Sequence, residues 1–212
     1  MQVQTIKTTW ATGQLKQNTY VLEFADGCVL IDAGCGLEEI RELCSKPIKA
    51  VFLTHGHFDH VLKVEEYDKL NVPIYGNEKT KRFFLDPELN ASYTPEDVYQ
   101  VNNFVSVKDG DEVEVSGVKI KCMETPGHSE DSMSYLIGNT LFSGDTVFSV
   151  AVGRTDLKTG NIDEQIKTLT KLKDLDYEIL LSGHGRASTK EEQITNIDKW
   201  INILKEMKNK EK

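Results

Sequence analysis

The chain has 212 residues, 39% of them hydrophobic, with 25 Lys and Arg against 34 Asp and Glu for a formal charge of -9. That length favours a single domain over residues 1–212 with one sizeable core, and the acidic balance disfavours nucleic acid as a partner. No apolar stretch approaches a membrane span, residues 1–10 show no secretory pattern, and Cys28, Cys35, Cys44 and Cys122, with no C-x-x-C spacing, read as reduced thiols of a cytoplasmic protein.

In chain order, residues 3–8 and 19–24 are rich in β-formers, and Asp26-Gly27 marks a turn before a strand at 28–32. Gly34 and Gly36 break the pattern, 37–44 reads as a short helix stopped by Pro47, and 48–53 as a buried strand. The pattern predicts helices over 61–70 and 77–84 with a strand at 72–75 between them. Residues 85–103 carry Pro87 and Pro95, show no period, and read as a long irregular insertion. Ser116-Gly117 joins strand-like runs at 113–115 and 118–123, and Gly138-Asn139 joins 133–137 and 140–142, so each pair predicts a hairpin. Ile162, Ile166, Leu169 and Leu172 mark one face of a helix, and 178–181 reads as a strand. Ile194, Ile197, Trp200, Leu204 and Met207 mark a final amphipathic helix, and 208–212 reads as a solvated tail.

The chemistry-bearing residues fall at the ends of predicted strands. His55, His57, Asp59 and His60 follow the apolar run 48–53 directly. Alternate side chains at a strand end can aim at one point, so His55 and His57 suit a shared metal. Asp59 and His60 come after the chain has turned and suit a second one. His128 follows Thr125-Pro126-Gly127, Asp145 follows Gly144, and His184 lies between Gly183 and Gly185. All five histidines of the chain belong to this set. Structural histidines would not be expected to collect so completely at strand ends. A structural zinc site is closed and commonly built on thiolates, whereas here no cysteine has the spacing and seven ligands exceed one closed site. Two metals with open positions fit better.

Thr54-His55-Gly56-His57-Phe58-Asp59-His60 resembles the H-x-H-x-D-H signature of the metallo-β-lactamase superfamily. Thr125-Pro126-Gly127-His128, Ser143-Gly144-Asp145 and Ser182-Gly183-His184-Gly185 resemble its later ligand motifs, in order, so that the likeness runs from Asn18 to about Asn196. Gly153-Arg154-Thr155-Asp156-Leu157 is similar to the short glyoxalase II-like branch, also named hydroxyacylglutathione hydrolase-like. The resemblance implies a four-layer αββα sandwich of the α/β (α+β) class with the site at the edge between two sheets. It places His55, His57 and His128 on one metal, Asp59, His60 and His184 on the other, and Asp145 between them. The sequence departs from the pattern at Leu62, where many relatives have Gly, and at Ile197, where they often have Pro. Longer glyoxalase II enzymes continue into a C-terminal helical domain with basic residues for glutathione, which is not found before Lys212. The expectation is therefore weak dependence on glutathione.

The implied activity is hydrolysis of a small thioester. Two divalent cations, zinc as first expectation with iron or manganese left open, would share a water, lower its pKa, and direct the resulting hydroxide at a carbonyl carbon. Asp59 and Asp145 are the expected catalytic carboxylates, Asp59 orienting the nucleophile and Asp145 bridging the ions. Asp32 either accepts a hydrogen bond from a ligand imidazole or supports a turn. Arg154 and Asp156 read as a tie within their loop, and Phe83, Phe84, Tyr93 and Tyr99 are candidates for a substrate flap with none singled out. The alternatives are an iron-dependent persulfide dioxygenase and a lactone or other ester hydrolase. A flavodiiron centre is disfavoured by His57, where those relatives carry Glu. A cysteine-ligand β-lactamase is disfavoured by Asp145, and a non-enzymatic binding module by the intact ligand set. Oligomeric state is not legible.

Overall fold

The apolar runs without polar alternation become interior strands, because both of their faces are covered. In the computed structural model, which describes residues 2–9, 16–94 and 97–210, they lie in two six-stranded sheets. The first sheet contains β1 (Gln2–Thr9), β2 (Lys16–Glu23), β3 (Cys28–Ile31), β4 (Ile48–Phe52), β5 (Ile74–Gly76) and β6 (Phe104–Ser106), in that spatial order. Its β1-β2-β3 portion is antiparallel and β3 to β6 run parallel. Helices α1 (Leu37–Leu43), α2 (Phe58–Val61), α3 (Val64–Asp68) and α4 (Thr80–Phe83) occupy its connections. The second sheet, in the order opposite to the chain, contains β7 (Glu112–Val115), β8 (Val118–Glu124), β9 (Met133–Ile137), β10 (Thr140–Gly144), β11 (Ile179–Ser182) and β12 (Ser188–Thr189). Helices α5 (Ile162–Asp174) and α6 (Lys190–Lys210) complete the chain, and β10 pairs parallel with β11.

Strand alternation divides the apolar residues among three cores. Tyr20, Leu22, Val29, Ile31, Ala50 and Phe52 face Ile120, Cys122, Tyr135, Ile137 and Phe142 between the sheets. Their neighbours Val21, Leu30, Val51 and Leu53 point the other way, onto Ile40, Val64 and Tyr67 of the first helical layer. Met123, Leu141 and Leu180 likewise pack on Leu169, Leu172, Ile197, Ile201 and Leu204 of α5 and α6. Three cores between four layers make the expected αββα sandwich. The four cysteines are buried free thiols. No helix among the described residues is long and apolar enough to cross a membrane.

The expected helix over 61–70 starts earlier and splits. Helix α2 begins at Phe58 with His57 as its N-cap, and Lys63 leaves helical geometry at φ -110° and ψ 14° before α3. The cause is tertiary: the carbonyl of His60 accepts from Ala33 N–H (2.7 Å) and Lys63 N–H donates to the Ala33 carbonyl (2.8 Å). Leu62 sits at φ -47°, a conformation that needs no glycine. The helix expected at 77–84 shrinks to α4, since the Asn77 side chain accepts from Lys79 N–H (3.0 Å) and holds the entry as a turn. Strands β6 and β12, with three and two residues, were not predicted and are too short to carry a pattern. The described residues of 85–103 form neither helix nor strand, as expected, while Pro95 lies outside the described residues. The insertion is tied down by Asp68, which accepts from the backbone N–H groups of Asn102 and Asn103 and from Tyr99 OH.

Phe52 is fully buried between the sheets, stacked on Tyr75 at 4.6 Å and edge-on to Tyr135 at 5.2 Å. Phe52→Ala is expected to destabilise the fold by about 3–5 kcal/mol, read as a lower urea midpoint at unchanged m-value. A loss under about 1 kcal/mol would mean that the inter-sheet core is not close-packed here.

Candidate metal centre

The site forms where strand ends from both sheets meet. His55, His57, Asp59 and His60 leave β4, His128 follows β8, Asp145 follows β10, and His184 follows β11. The carboxyl ends of parallel strands are the usual location of a site in such sheets, because rigid backbone there hands over to shaped loops. Three groups of side chains each bring their ligand atoms within 4.8 Å of one another: His55, His57 and His128; His55, His60 and Asp145; and Asp59, His60 and His184. All seven residues singled out by the sequence are thus brought together.

The contacts give this cluster two halves with Asp145 between them. His57 Nδ1 lies 2.9 Å from His128 Nε2, so two imidazole nitrogens face each other with room for only one proton or cation. Asp145 Oδ1 is 3.3 Å from His60 Nε2, and its Oδ2 is 3.3 Å from His184 Nε2 and 3.7 Å from His128 Nε2. Asp59 Oδ2 is 3.2 Å from His184 Nε2. The buried atoms His55 Nε2, His60 Nε2 and Asp145 Oδ1 make no well-aligned hydrogen bond, the 3.3 Å approach of the last two included. Buried polar atoms are rarely left so, and an all-nitrogen-and-oxygen donor set with orphaned lone pairs fits divalent cations.

The reverse sides of the rings are held. His60 Nδ1 lies 2.7 Å from Asp32 Oδ2, His128 Nδ1 2.8 Å from the Arg154 carbonyl, and His184 Nδ1 3.0 Å from the Lys16 carbonyl. His55 Nδ1 lies 3.1 Å from Thr54 Oγ1. A proton on Nδ1 in each case leaves Nε2 facing the centre, as a lone pair on His55 and, on His60 and His184, once a cation displaces the second ring proton. Asp32 therefore meets an imidazole, and it also accepts from Thr54 N–H at 2.7 Å while holding φ 67°. Arg154 and Asp156 pair with each other at 2.6 Å, as expected. Of the flap candidates, Phe83 and Phe84 are buried, Tyr99 packs partly buried, and only Tyr93 is mostly exposed. Gly183 is required by close approach, since a Cβ there would stand 2.2 Å from Asp145 Oδ1 and 2.5 Å from His60 Cε1.

Three contributors carry no signal in the sequence. Asn18 donates to the carbonyls of Ser182 and Gly185 and Tyr20 OH to that of Ser182, fixing the turn that bears His184. Asp131 accepts from Gly56 N–H between His55 and His57. Each lies far in sequence from what it holds, and none matches a local motif.

The two halves differ electrostatically. Burial pushes His57 down to about 3, aided by the neighbouring His128, and burial with His60 and His57 holds His55 well below its ordinary value. Burial also opposes charge on His60, but Asp32, Asp59 and Asp145 outweigh it and hold the ring well above its ordinary value. At His184 burial is overcome by Asp145 and Asp59, and the pKa rises to about 10. Burial raises Asp145 and Asp59, yet His60 and His184 keep both below the ordinary carboxylate value. Without a cation, protons supply the positive charge of this second half.

Cation binding there must displace those protons. Zinc titration of the metal-free protein near pH 7 is expected to release about two protons per chain as the second half fills, from His60 and His184, and none from His55 or His57. Calorimetry in buffers of different ionisation enthalpy counts them. Because the folded pKa of His184 is raised from 6.5 to about 10, its contribution to metal-free stability is full below about 6.5 and is lost as pH rises through about 10. His184→Ala should abolish that slope. Zero proton release would contradict the charge state described.

Comparison with known proteins agrees with this geometry. The profile of the Metallo-beta-lactamase superfamily matches residues 12–184. A probable metallo-hydrolase of Bacillus subtilis, YqgX, is 31% identical over 189 residues, covering 82% of this chain and 87% of its own. A hydroxyacylglutathione hydrolase of Buchnera aphidicola is 34% identical over 146 residues, 66% of this chain but 51% of that enzyme. Among solved structures, the B3 metallo-beta-lactamase BLEG-1 has a TM-score of 0.78 and 27% identity, covering 92% of this chain and 97% of its own. The protein TTHA1623 in a di-iron-bound form has a TM-score of 0.73 and 26% identity, covering 90% and 98%. With its profile, its relatives and its fold in agreement, the chain belongs to the metallo-β-lactamase superfamily.

Proposed function

We propose that the chain is a metal-dependent hydrolase that cleaves small thioesters at a dinuclear centre. The observation that carries this reading is the position of Asp145, a carboxylate within 3.3 to 3.7 Å of imidazoles from both halves of one cluster. An anion between two cations reduces their repulsion. In the proposed assignment His55, His57 and His128 hold one ion, Asp59, His60 and His184 the other, and Asp145 lies between. Two such cations supply Lewis acidity toward a carbonyl oxygen and acidify water at neutral pH.

The protein's own groups supply orientation. Asp59, nearly buried, accepts a hydrogen bond from the attacking water and aims its oxygen at the carbonyl carbon. The carbon–sulfur bond breaks, water provides the oxygen of the new carboxylate, and of its two protons one goes to the leaving thiolate and the other to solvent. Asp32, Thr54 and the carbonyls of Arg154 and Lys16 keep the imidazoles from turning. The hydroxyacylglutathione hydrolase relative supports a thioester as substrate. Against strong recognition of glutathione, four basic side chains, among them Arg154 next to the carbonyl that holds His128 and Arg186 after the His184 turn, are already paired: Arg82 with Glu130, Arg154 with Asp156, Lys158 with Glu88 and Arg186 with Glu192.

Elemental analysis of the reconstituted protein is expected to give about two metals per chain, and Asp145→Ala to lose metal and activity together while keeping the fold. A single iron with oxygen uptake on a persulfide would replace this reading with the dioxygenase one. Retention of both metals and near-normal turnover in Asp145→Ala would overturn the ligand assignment.

Hydrolysis of S-lactoylglutathione and of a lactoyl thioester of a smaller thiol should proceed with kcat/KM values within about a hundredfold, equivalent to about 2.7 kcal/mol. A larger gap would mean that glutathione is recognised through contacts outside those described.

A further inference from the structure

Asp131 is fully buried and lies in no ligand group, yet no basic side chain pairs with it among the described contacts. An isolated buried carboxylate is costly unless its oxygens are satisfied by donors. Here three donors converge. Oδ2 accepts from Gly56 N–H and from Thr80 Oγ1, both at 2.8 Å, and Oδ1 accepts from Ser129 Oγ at 2.7 Å.

The origin of these donors matters more than their number. Gly56 is the residue between His55 and His57, and Ser129 is the residue after His128. Thr80 opens α4, whose Phe83 packs so tightly that a Cβ on Gly56 would stand 2.4 Å from Phe83 Cβ. One carboxylate therefore joins the backbone carrying two imidazoles of the first half to the loop carrying the third. Those loops come from different sheets and share no backbone hydrogen-bond ladder. The Ser129 hydroxyl also lies 2.7 Å from Ser132 Oγ, which fixes the turn after His128.

We propose that Asp131 is a positioning residue for the site formed by His55, His57 and His128, holding the three rings at binding separation before a metal ion arrives. The proposal rests on the metal-binding reading given above. A preformed site binds more tightly because less order is created on binding, and partners behind metal ligands typically contribute about 10- to 100-fold in affinity. Asp131→Asn keeps the shape but leaves one acceptor oxygen where three donors converge, and its amide forces the Ser129 or Thr80 hydroxyl to turn from donor to acceptor.

The test is made in a His184→Ala background, which disables the other half, by competing zinc alone against a chromophoric chelator and following cobalt absorption at the remaining site. Apo-protein melting is measured alongside. Asp131→Asn is expected to weaken zinc binding about 10- to 100-fold and to alter the cobalt spectrum, with the apo protein still folded and its melting temperature lowered by only a few degrees. Full-length protein with His184 intact should show the second metal bound as in the parent. Affinity within threefold of the parent overturns the proposal, as does equal weakening of both sites in the protein with His184 intact, which marks a merely structural role. If Asp131→Asn does not fold, Ser129→Ala decides: it cuts the arm to the His128 loop, and it must weaken the same site selectively or the proposal fails. Should the parent itself bind no zinc at this site, the metal-centre reading fails instead.

Discussion

Gathering five imidazoles and two carboxylates into one buried cluster is unfavourable unless a positive charge occupies the space between them. Burial alone drives the rings of His55 and His57 toward neutrality, while Asp32, Asp59 and Asp145 hold His60 protonated against the same burial. The rest of the site follows from this conflict. Lone pairs must be aimed rather than averaged, so the opposite nitrogens of four rings are held by Thr54, Asp32, the Arg154 carbonyl and the Lys16 carbonyl. The cluster is a cation site in its electrostatics as well as in its residue types.

Such aim requires rigid supports, and the sandwich provides them. The ligands leave β4, β8, β10 and β11 at one edge, where a sheet buried on both faces has little freedom to shift. Links between the sheets complete the alignment. Met133 N–H donates to the Thr54 carbonyl at 2.7 Å, Tyr135 OH to the Leu53 carbonyl at 2.6 Å, and Asn18 N–H to the Gly183 carbonyl at 2.7 Å. Each fastens the end of a strand of one sheet to the other, so the separation of the 55–60 segment from His128, Asp145 and His184 is fixed by the packing of the sheets.

The same links explain the local departures from the sequence pattern. Residues 61–70 have helical periodicity, but the chain breaks at Lys63 because Ala33 captures the backbone groups on either side of the break. The polar run Ser129-Glu130-Asp131-Ser132 looks like a solvated turn by composition, yet Ser129, Asp131 and Ser132 are buried because they bond to one another and to Gly56 and Thr80. A propensity describes a residue against its neighbours in the chain and is silent on partners tens of residues away.

The sequence by itself singled out the residues that form the cluster, since His55, His57, Asp59, His60, His128, Asp145 and His184 stand at strand ends with spacings suited to metal binding, and the fold brings all seven together. The layered architecture was implied by the resemblance of those motifs to the metallo-β-lactamase superfamily, and the interior strands, apolar on both faces, have the cover on both sides that it requires. Tertiary structure alone decided the roles of Asp32, Asn18, Tyr20 and Asp131. Their chemistry consists of hydrogen bonds to backbone groups, and for Asp32 and Asp131 to side chains as well, that only the folded chain brings within reach, and a buried carboxylate reads in sequence like an exposed one.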